Sequence, residues 1–356
     1  MKKIILIIMS MMMIFISIGC SNQTSNNEKI DLYDSKKAIE TAQKYLMEIQ
    51  NENFEEAKKF CTKDFASASK INDLGNSKIQ VFKTNKSVDG GDKMSIIFDV
   101  LRGEDYSPNN NLDKYNIDVI KENDEYKINN LSASEESEVY ERESELRLQT
   151  SGAGESKLIL KLSDIPKQVY NKGDNPLERV DIPSDKFSSC GLSYSSNKVA
   201  YSTTNGKDSF IGILYIKDDK SVTTIGSNQD DTKNKSDNKS NAIEKVQTDK
   251  VMNFGILNDC QIERIVFSAA EDNLVVSYKN SNEGTGLKIF NVESGKESSL
   301  DIKSKFPTDK YNVRVMFVNE EEITVRVTLL EGVSEKKEDL TGMYVININK
   351  STIDKK

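Results

Sequence analysis

The sequence predicts an α+β chain: a helix-plus-antiparallel-sheet domain comes first and an all-β domain follows it. Three observations carry this. Apolar residues recur at intervals of three and four after Ser35, then at intervals of two after Leu74-Gly75. Beyond residue 155 they stand in short alternating runs separated by polar turns. Within that second region a unit of strand, polar turn, strand, longer loop and strand recurs three times.

The chain opens with Met1-Lys2-Lys3 and an apolar run from Ile4 to Ile18, 15 residues broken only by Ser10 and Ser17. A membrane-spanning helix needs about 20, so this run suits the hydrophobic region of a signal peptide. It ends in Ser17-Ile18-Gly19-Cys20. Those four residues resemble the lipobox of bacterial lipoproteins, although Ser17 stands where that family carries Leu, Val or Ile. The resemblance implies cleavage after residue 19, a diacylglyceryl group on Cys20 with palmitate among its acyl chains, and a location on the extracytoplasmic face of the cell membrane. Each buried methylene of such a chain contributes about 0.8 kcal/mol to anchoring. Residues 20–33, polar and Asn-rich at their start, read as a flexible tether.

Removing 19 of the 356 residues leaves 337 and takes Lys2 and Lys3 away, moving the formal net charge from −8 to −10. An acidic body of this kind argues against nucleic acid as a partner and against direct adhesion to anionic lipid.

In the first domain, residues 34–132, Ala38, Ala42, Tyr45, Leu46 and Ile49 mark one face of a helix that Asp34 or Ser35 can cap. A second helix is expected from Asn53, with Glu56 completing a capping box, and a third turn around Phe65. Strands follow at Lys78 to Lys83 and Lys93 to Leu101 across the turn Asp89-Gly90-Gly91-Asp92, then around Tyr115 to Ile120 and from Tyr126 to Leu131 across Asn123-Asp124. Two or three helices followed by four strands resemble the cystatin-like cone of nuclear-transport-factor-like domains, in which a curved sheet wraps a long N-terminal helix. That likeness implies a cavity, and Phe82, Phe98, Tyr115 and Tyr126 are its candidate lining, with ordinary core packing as the alternative. Residues 133–154, acidic and ending in Ser151-Gly152-Ala153-Gly154, read as an exposed helix or linker at the domain boundary.

The three units of residues 155–356 begin at Gly191, Arg264 and Arg314, and their third strands run Ile211 to Ile216, Leu287 to Val292 and Met343 to Ile348. Their aromatic-Ser turns and closing polar turns, such as Val292 to Lys296, resemble the blades of TolB-like β-propellers. Only three units are visible in a region of propeller-blade periodicity, so the expectation is a small or incomplete propeller, or else an open sheet or sandwich. Residues 226–250, almost without apolar side chains, read as a disordered insertion.

The chemistry is bounded by what is missing. There is no histidine, which removes the commonest general base, the commonest zinc ligand and every Ser-His-Asp arrangement. Ser-x-x-Lys, the nucleophile motif of penicillin-recognising enzymes, occurs at Ser67-Lys70, Ser195-Lys198, Ser236-Lys239 and Ser334-Lys337, as a Ser- and Lys-rich chain supplies by chance. Glu320-Glu321-Glu322 reads as a solvated turn, and Asp230-Asp231 lacks the spacing of a calcium loop. Cys61, Cys190 and Cys260 make no zinc or disulfide framework; at most Cys190 could pair with Cys260, and three small buried hydrophobes is the other reading. No cofactor, metal or catalytic residue is therefore assigned, and Cys20 is the one residue with a role. The expected function is a non-enzymatic protein-binding or scaffolding module of the cell envelope with an envelope protein as partner. The alternatives are a binder of a small extracytoplasmic ligand in the N-terminal cavity, or a histidine-free hydrolase.

Overall fold

The helix α1 (Ser35–Gln50) buries Ala38, Ala42, Tyr45, Leu46 and Ile49 along the stripe that the three-four spacing marks. This comes from a computed structural model that describes residues 33–68, 77–170, 178–217, 244–280, 283–319, 321–333 and 340–356. The signal segment, Cys20, nearly all of the tether, Lys70, Glu320, Asp230-Asp231, Ser236-Lys239 and Ser334-Lys337 lie outside the described residues. Two short helices follow, α2 (Phe54–Lys58) and α3 (Lys63–Ala68). Asn53 precedes α2 as expected, but the capping box does not form: the Asn53 side chain makes no cap bond and donates to Glu48 Oε2 at 2.9 Å instead.

Then come β1 (Lys78–Asp89), β2 (Lys93–Gly103), β3 (Asn110–Glu122) and β4 (Glu125–Arg142), an antiparallel meander on which α1 packs. The Asn123-Asp124 turn has φ of 50° and 65°, the left-handed pair that a two-residue hairpin of type I′ requires. In the other hairpin, Asp89 Oδ1 accepts from the backbone N–H of Gly91, at φ 89°.

The acidic stretch is a strand and not a helix or linker. Residues 133–142 are the second half of β4, which turns through Glu143-Ser144, again with two positive φ values, into β5 (Glu145–Thr150) and then β6 (Lys157–Lys161). Its carboxylates find cross-strand partners, Glu136 meeting Lys114 at 2.9 Å and Glu145 meeting Lys161 at 2.9 Å, and Glu145 also meets Arg147 of its own strand at 3.2 Å. No domain boundary falls there. Nor are residues 226–250 an insertion throughout, since Glu244 takes two bonds from Arg147 Nη2, at 2.7 and 3.0 Å, and Thr248 donates to Ile159 O.

The three predicted units are three antiparallel meanders. A small ribbon, β7 (Gln168–Tyr170) with β8 (Arg179–Asp181), precedes them. The first unit is β9 (Lys186–Leu192), β10 (Lys198–Thr204), β11 (Ser209–Ile216) and β12 (Thr248–Leu257). The second is β13 (Gln261–Phe267), β14 (Asn273–Lys279) and β15 (Thr285–Asn291). After a short α4 (Ile302–Lys305), the third is β16 (Tyr311–Val318), β17 (Glu322–Leu329), β18 (Gly342–Asn347) and β19 (Thr352–Lys355). Register brings out the repeat. Tyr201 faces Gly212 and Tyr278 faces Gly286, each ring lying over a glycine whose Cβ would meet it within 2.8 Å, while Val327 faces Gly342 at the same place in the third unit. A bare glycine leaves a hole in a sheet face that a cross-strand aromatic fills.

The separate α+β cone followed by an all-β domain is overturned by one pairing. β16 lies parallel to β1 at Phe82 and Phe317, so the first meander and the third unit form one ten-stranded mixed sheet, ordered β19-β18-β17-β16-β1-β2-β3-β4-β5-β6. The chain is mostly β, and residues 35–356 make one unit. The physical reason lies at β1: its outer edge carries unpaired backbone groups that need a partner, and β16 supplies it. Phe82 seals the seam, 5.8 Å from Phe98 and 5.1 Å from Phe317 between ring centres. One apolar core accordingly runs from Val81 and Leu101 through Leu192 and Val266 to Val313 and Val315. Phe82, Phe98 and Tyr115 are buried within the sheet-and-helix layer and Tyr126 is half-buried.

Candidate functional site

β9, β13 and β16 begin the three units, and β16 packs on β15 of the second. β9 lies against β13, where the Ser189 hydroxyl donates to Ile262 O at 2.8 Å and a Cβ on Gly191 would sit 2.2 Å from Ile265 O. Gly191, Arg264 and Arg314 hold equivalent places in the three units. Where β9 and β13 touch, only glycine fits. The equivalent places in the other two units instead present Arg264 and Arg314 to a cavity of about 400 Å³.

That cavity opens between the second and third units, with the α1–α2 turn and the β2–β3 loop at its margin. Arg264, 4% exposed, reaches the loop carboxylate of Asp105, donating from Nε at 3.0 Å and from Nη2 at 2.5 Å, and gives Nη1 to Gln80 O at 3.4 Å. The loop is fastened beside it, Tyr106 N–H donating to Glu263 O at 2.9 Å. Glu263 lines the cavity too and accepts from the Thr285 hydroxyl at 2.7 Å.

On the opposite wall stands Arg314. Its Nη2 donates to Gln50 O at 3.2 Å, while its Nε is buried and has no protein partner; Gln50 Oε1 is likewise without one. Burial is the largest influence on the Arg314 guanidinium and pulls it below the usual arginine range, with the positive charge of Arg264 adding to it; Asp105, Glu263 and Glu52 oppose. Arginine still stays charged at neutral pH. Directly across from Arg314 in the β16–β17 ladder is Arg326, which lines the same cavity. Like charges in directly opposed positions destabilise a sheet. Asn312 is held by the Thr285 backbone N–H, which donates to its Oδ1 at 3.0 Å.

The residues singled out in the sequence are elsewhere. Ser195 and Lys198 do come together, on Glu271: the Ser195 hydroxyl and the Lys198 ammonium both donate to Glu271 Oε2, at 2.8 and 2.7 Å, and Ser195 N–H donates to Oε1. Burial would raise the Glu271 carboxyl, but Lys198 and Ser195 outweigh it and hold it below the ordinary range. Ser67 donates to Lys63 O within its helix. Glu321 and Glu322 flank a turn in which both backbone N–H groups donate to Asn319 Oδ1. Cys61, Cys190 and Cys260 are buried and unpaired. Among the described residues no helix is long and apolar enough to cross a membrane, and no group of three or more His, Cys, Asp and Glu could hold a metal ion. The cavity arginines were missed, although Arg264 and Arg314 open their units in sequence. Their matching places were the available signal.

No family model and no curated protein matches the sequence. Among solved structures, TolB from Acinetobacter baumannii is similar over 71% of this chain and 55% of its own, at 7% identity and a TM-score of 0.34. A protein assigned as TolB from Agrobacterium tumefaciens is similar over 78% of this chain and 80% of its own, at 8% identity and a TM-score of 0.30. The β-propeller domain of the Trilobed protease from Pyrococcus furiosus is similar over 77% and 71%, at 11% identity and a TM-score of 0.31. This chain spans about half the length of the Acinetobacter protein. At such TM-scores the description of the three units rests on this chain's own register.

Proposed function

We propose that this chain is a non-enzymatic binding module of the cell envelope, held on the extracytoplasmic face by a lipid on Cys20, which engages a protein partner at the cavity between its second and third units. The observation that carries this reading is the opposition of Arg314 and Arg326 on neighbouring strands of that cavity. Two like charges held face to face reduce stability, and an acidic group from outside converts that cost into affinity. The walls come mainly from five strands, β13 to β17, so the donors are placed by strands rather than by loops.

Two features support binding over catalysis. The cavity lining includes serine but neither cysteine nor lysine, and its carboxylates are engaged by Arg264 and Thr285. The Ser195-Lys198 pair is drawn onto one carboxylate oxygen, which makes Lys198 a charged ion-pair member and a poor general base. The lipid anchor rests on the Ser17-Ile18-Gly19-Cys20 sequence.

The test is cross-linking in intact cells followed by purification from membranes, comparing the natural chain with Cys20→Ala and Arg326→Gln forms. A protein enriched with the natural chain and lost in the Arg326→Gln form is the expected result. Loss of membrane association in the Cys20→Ala form, with acyl mass on the natural N-terminus, is expected for the anchor. Equal capture by the natural and Arg326→Gln forms overturns the cavity as docking site.

A further inference from the structure

We infer that the group this cavity receives is a carboxylate, gripped by the guanidinium groups of Arg314 and Arg326 across the β16–β17 ladder. The inference rests on reading the cavity as a binding site and adds the chemistry of what enters it.

The charge count in the lining points to a single negative charge. Three guanidinium groups, Arg264, Arg314 and Arg326, share the cavity with two carboxylates, Asp105 and Glu263. Arg264 is spent on Asp105, through two bonds to one oxygen. Within the lining Arg314 and Arg326 then face Glu263, and Glu52 beyond it is paired with Lys78 at 2.7 Å, which leaves a surplus of one positive charge. A monoanion balances it. A phosphate or sulfate dianion would overshoot and would also stand in the field of Glu263 and Asp105.

Geometry and unmet bonding agree with this. A guanidinium fork presents parallel N–H groups at the spacing of two carboxylate oxygens. Arg314 holds one donor, Nε, buried and without a protein partner, and a buried donor left unpaired is costly. Its charged form is disfavoured by burial and by Arg264, and the attraction of an arriving anion opposes both influences. The volume, about 400 Å³, falls in the range of small-ligand sites, enough for an acidic side chain, a chain end or a small free acid. Around the arginines, Asn312, Ser277 and Thr328 add neutral hydrogen-bonding groups suited to the carbon skeleton's polar substituents.

The same carboxylate chemistry could come from a protein or from a free metabolite, and one experiment separates them. The full chain in detergent is titrated, at constant ionic strength, with lactate, with a polar peptide ending in a free carboxylate, with the same peptide amidated and carrying one internal glutamate, and with inorganic phosphate. Binding is read by calorimetry and by the shift in Tm. At least one carboxylate probe is expected to bind and to raise Tm, phosphate is not, and Arg326→Gln is expected to weaken that binding about tenfold or more. Arg326 is partly exposed, so this variant keeps the fold, and a Tm without probe no lower than that of the natural chain checks it. Whichever carboxylate probe binds identifies the source. No binding by any of them, equal binding by phosphate, or unaltered affinity in Arg326→Gln overturns the inference. Binding of lactate together with failure to capture any protein in cells leaves the carboxylate site standing and removes the protein-partner reading.

Discussion

Arg314 on β16 and Arg326 on β17 are direct partners in an antiparallel ladder, on the face that lines the cavity, and each of their flanking pairs, Val313 with Val327 and Val315 with Val325, is buried. The sheet thus sets two cations side by side between two well-packed apolar pairs. In the free protein this arrangement is a cost. Replacing Arg326 by Thr is expected to raise stability by about 0.2–1 kcal/mol in urea unfolding at low salt, with the gain shrinking at 1 M salt as the repulsion is screened. A loss of stability would mean that Arg326 is bonded in a way that offsets the repulsion.

The contact of β9 with β13 depends on Gly191. An alanine there would place its Cβ 2.2 Å from the Ile265 carbonyl oxygen, and backbone cannot swing aside as a side-chain tip can. Gly191→Ala is expected to cost about 3 kcal/mol, measured by denaturant unfolding. Gly154→Ala, where nothing lies within 4 Å of the added carbon, serves as the control and should change stability by less than about 0.5 kcal/mol.

Glu271 ties the β9–β10 turn to the β13–β14 turn through Ser195 and Lys198. Its carboxyl is held below the ordinary range because those donors outweigh burial. A carboxyl lowered in the folded state contributes stability above its unfolded pKa, near 4.3, and loses it as pH falls through the folded value. Glu271→Gln is therefore expected to destabilise by about 1–3 kcal/mol at pH 7 and to flatten the stability decline below pH 4. An acid limb as steep as in the natural chain would show that other carboxylates dominate.

The three described thiols are buried, and burial pushes each one up, Cys61 to about 12, Cys190 furthest and Cys260 less. Thiolate is the reactive form. None should react with an aromatic disulfide reagent at pH 8 within minutes in the folded protein, and all should react in urea. Cys260, 9% exposed and donating to Asn280 Oδ1, should be the first to yield as the fold loosens, and Cys190 the last. Mass mapping of partially labelled protein reads the order. Prompt native labelling of Cys190 would contradict the packing described for β9.

The amino-acid sequence by itself determined the local elements. The stripe from Ala38 to Ile49 specified α1, Asn123-Asp124 and Gly90-Gly91 specified two hairpins, and the recurring units from Gly191, Arg264 and Arg314 specified three meanders, because helical and strand periods and turn φ preferences act over a few residues. What it left open was pairing at a distance. No periodicity announces that the edge of β1 will meet β16 some 230 residues later, so the predicted two-domain division gave way to one sheet. The acidic run of β4 and β5 hid its strands because cross-strand lysines, absent from any local window, pair with Glu136 and Glu145. The cavity has the same origin. Arg264 and Arg314 were visible as the first residues of two repeats, but their meeting was decided when the third unit packed on the second through β15 and β16, and the opposition of Arg314 to Arg326 by the register of β16 with β17.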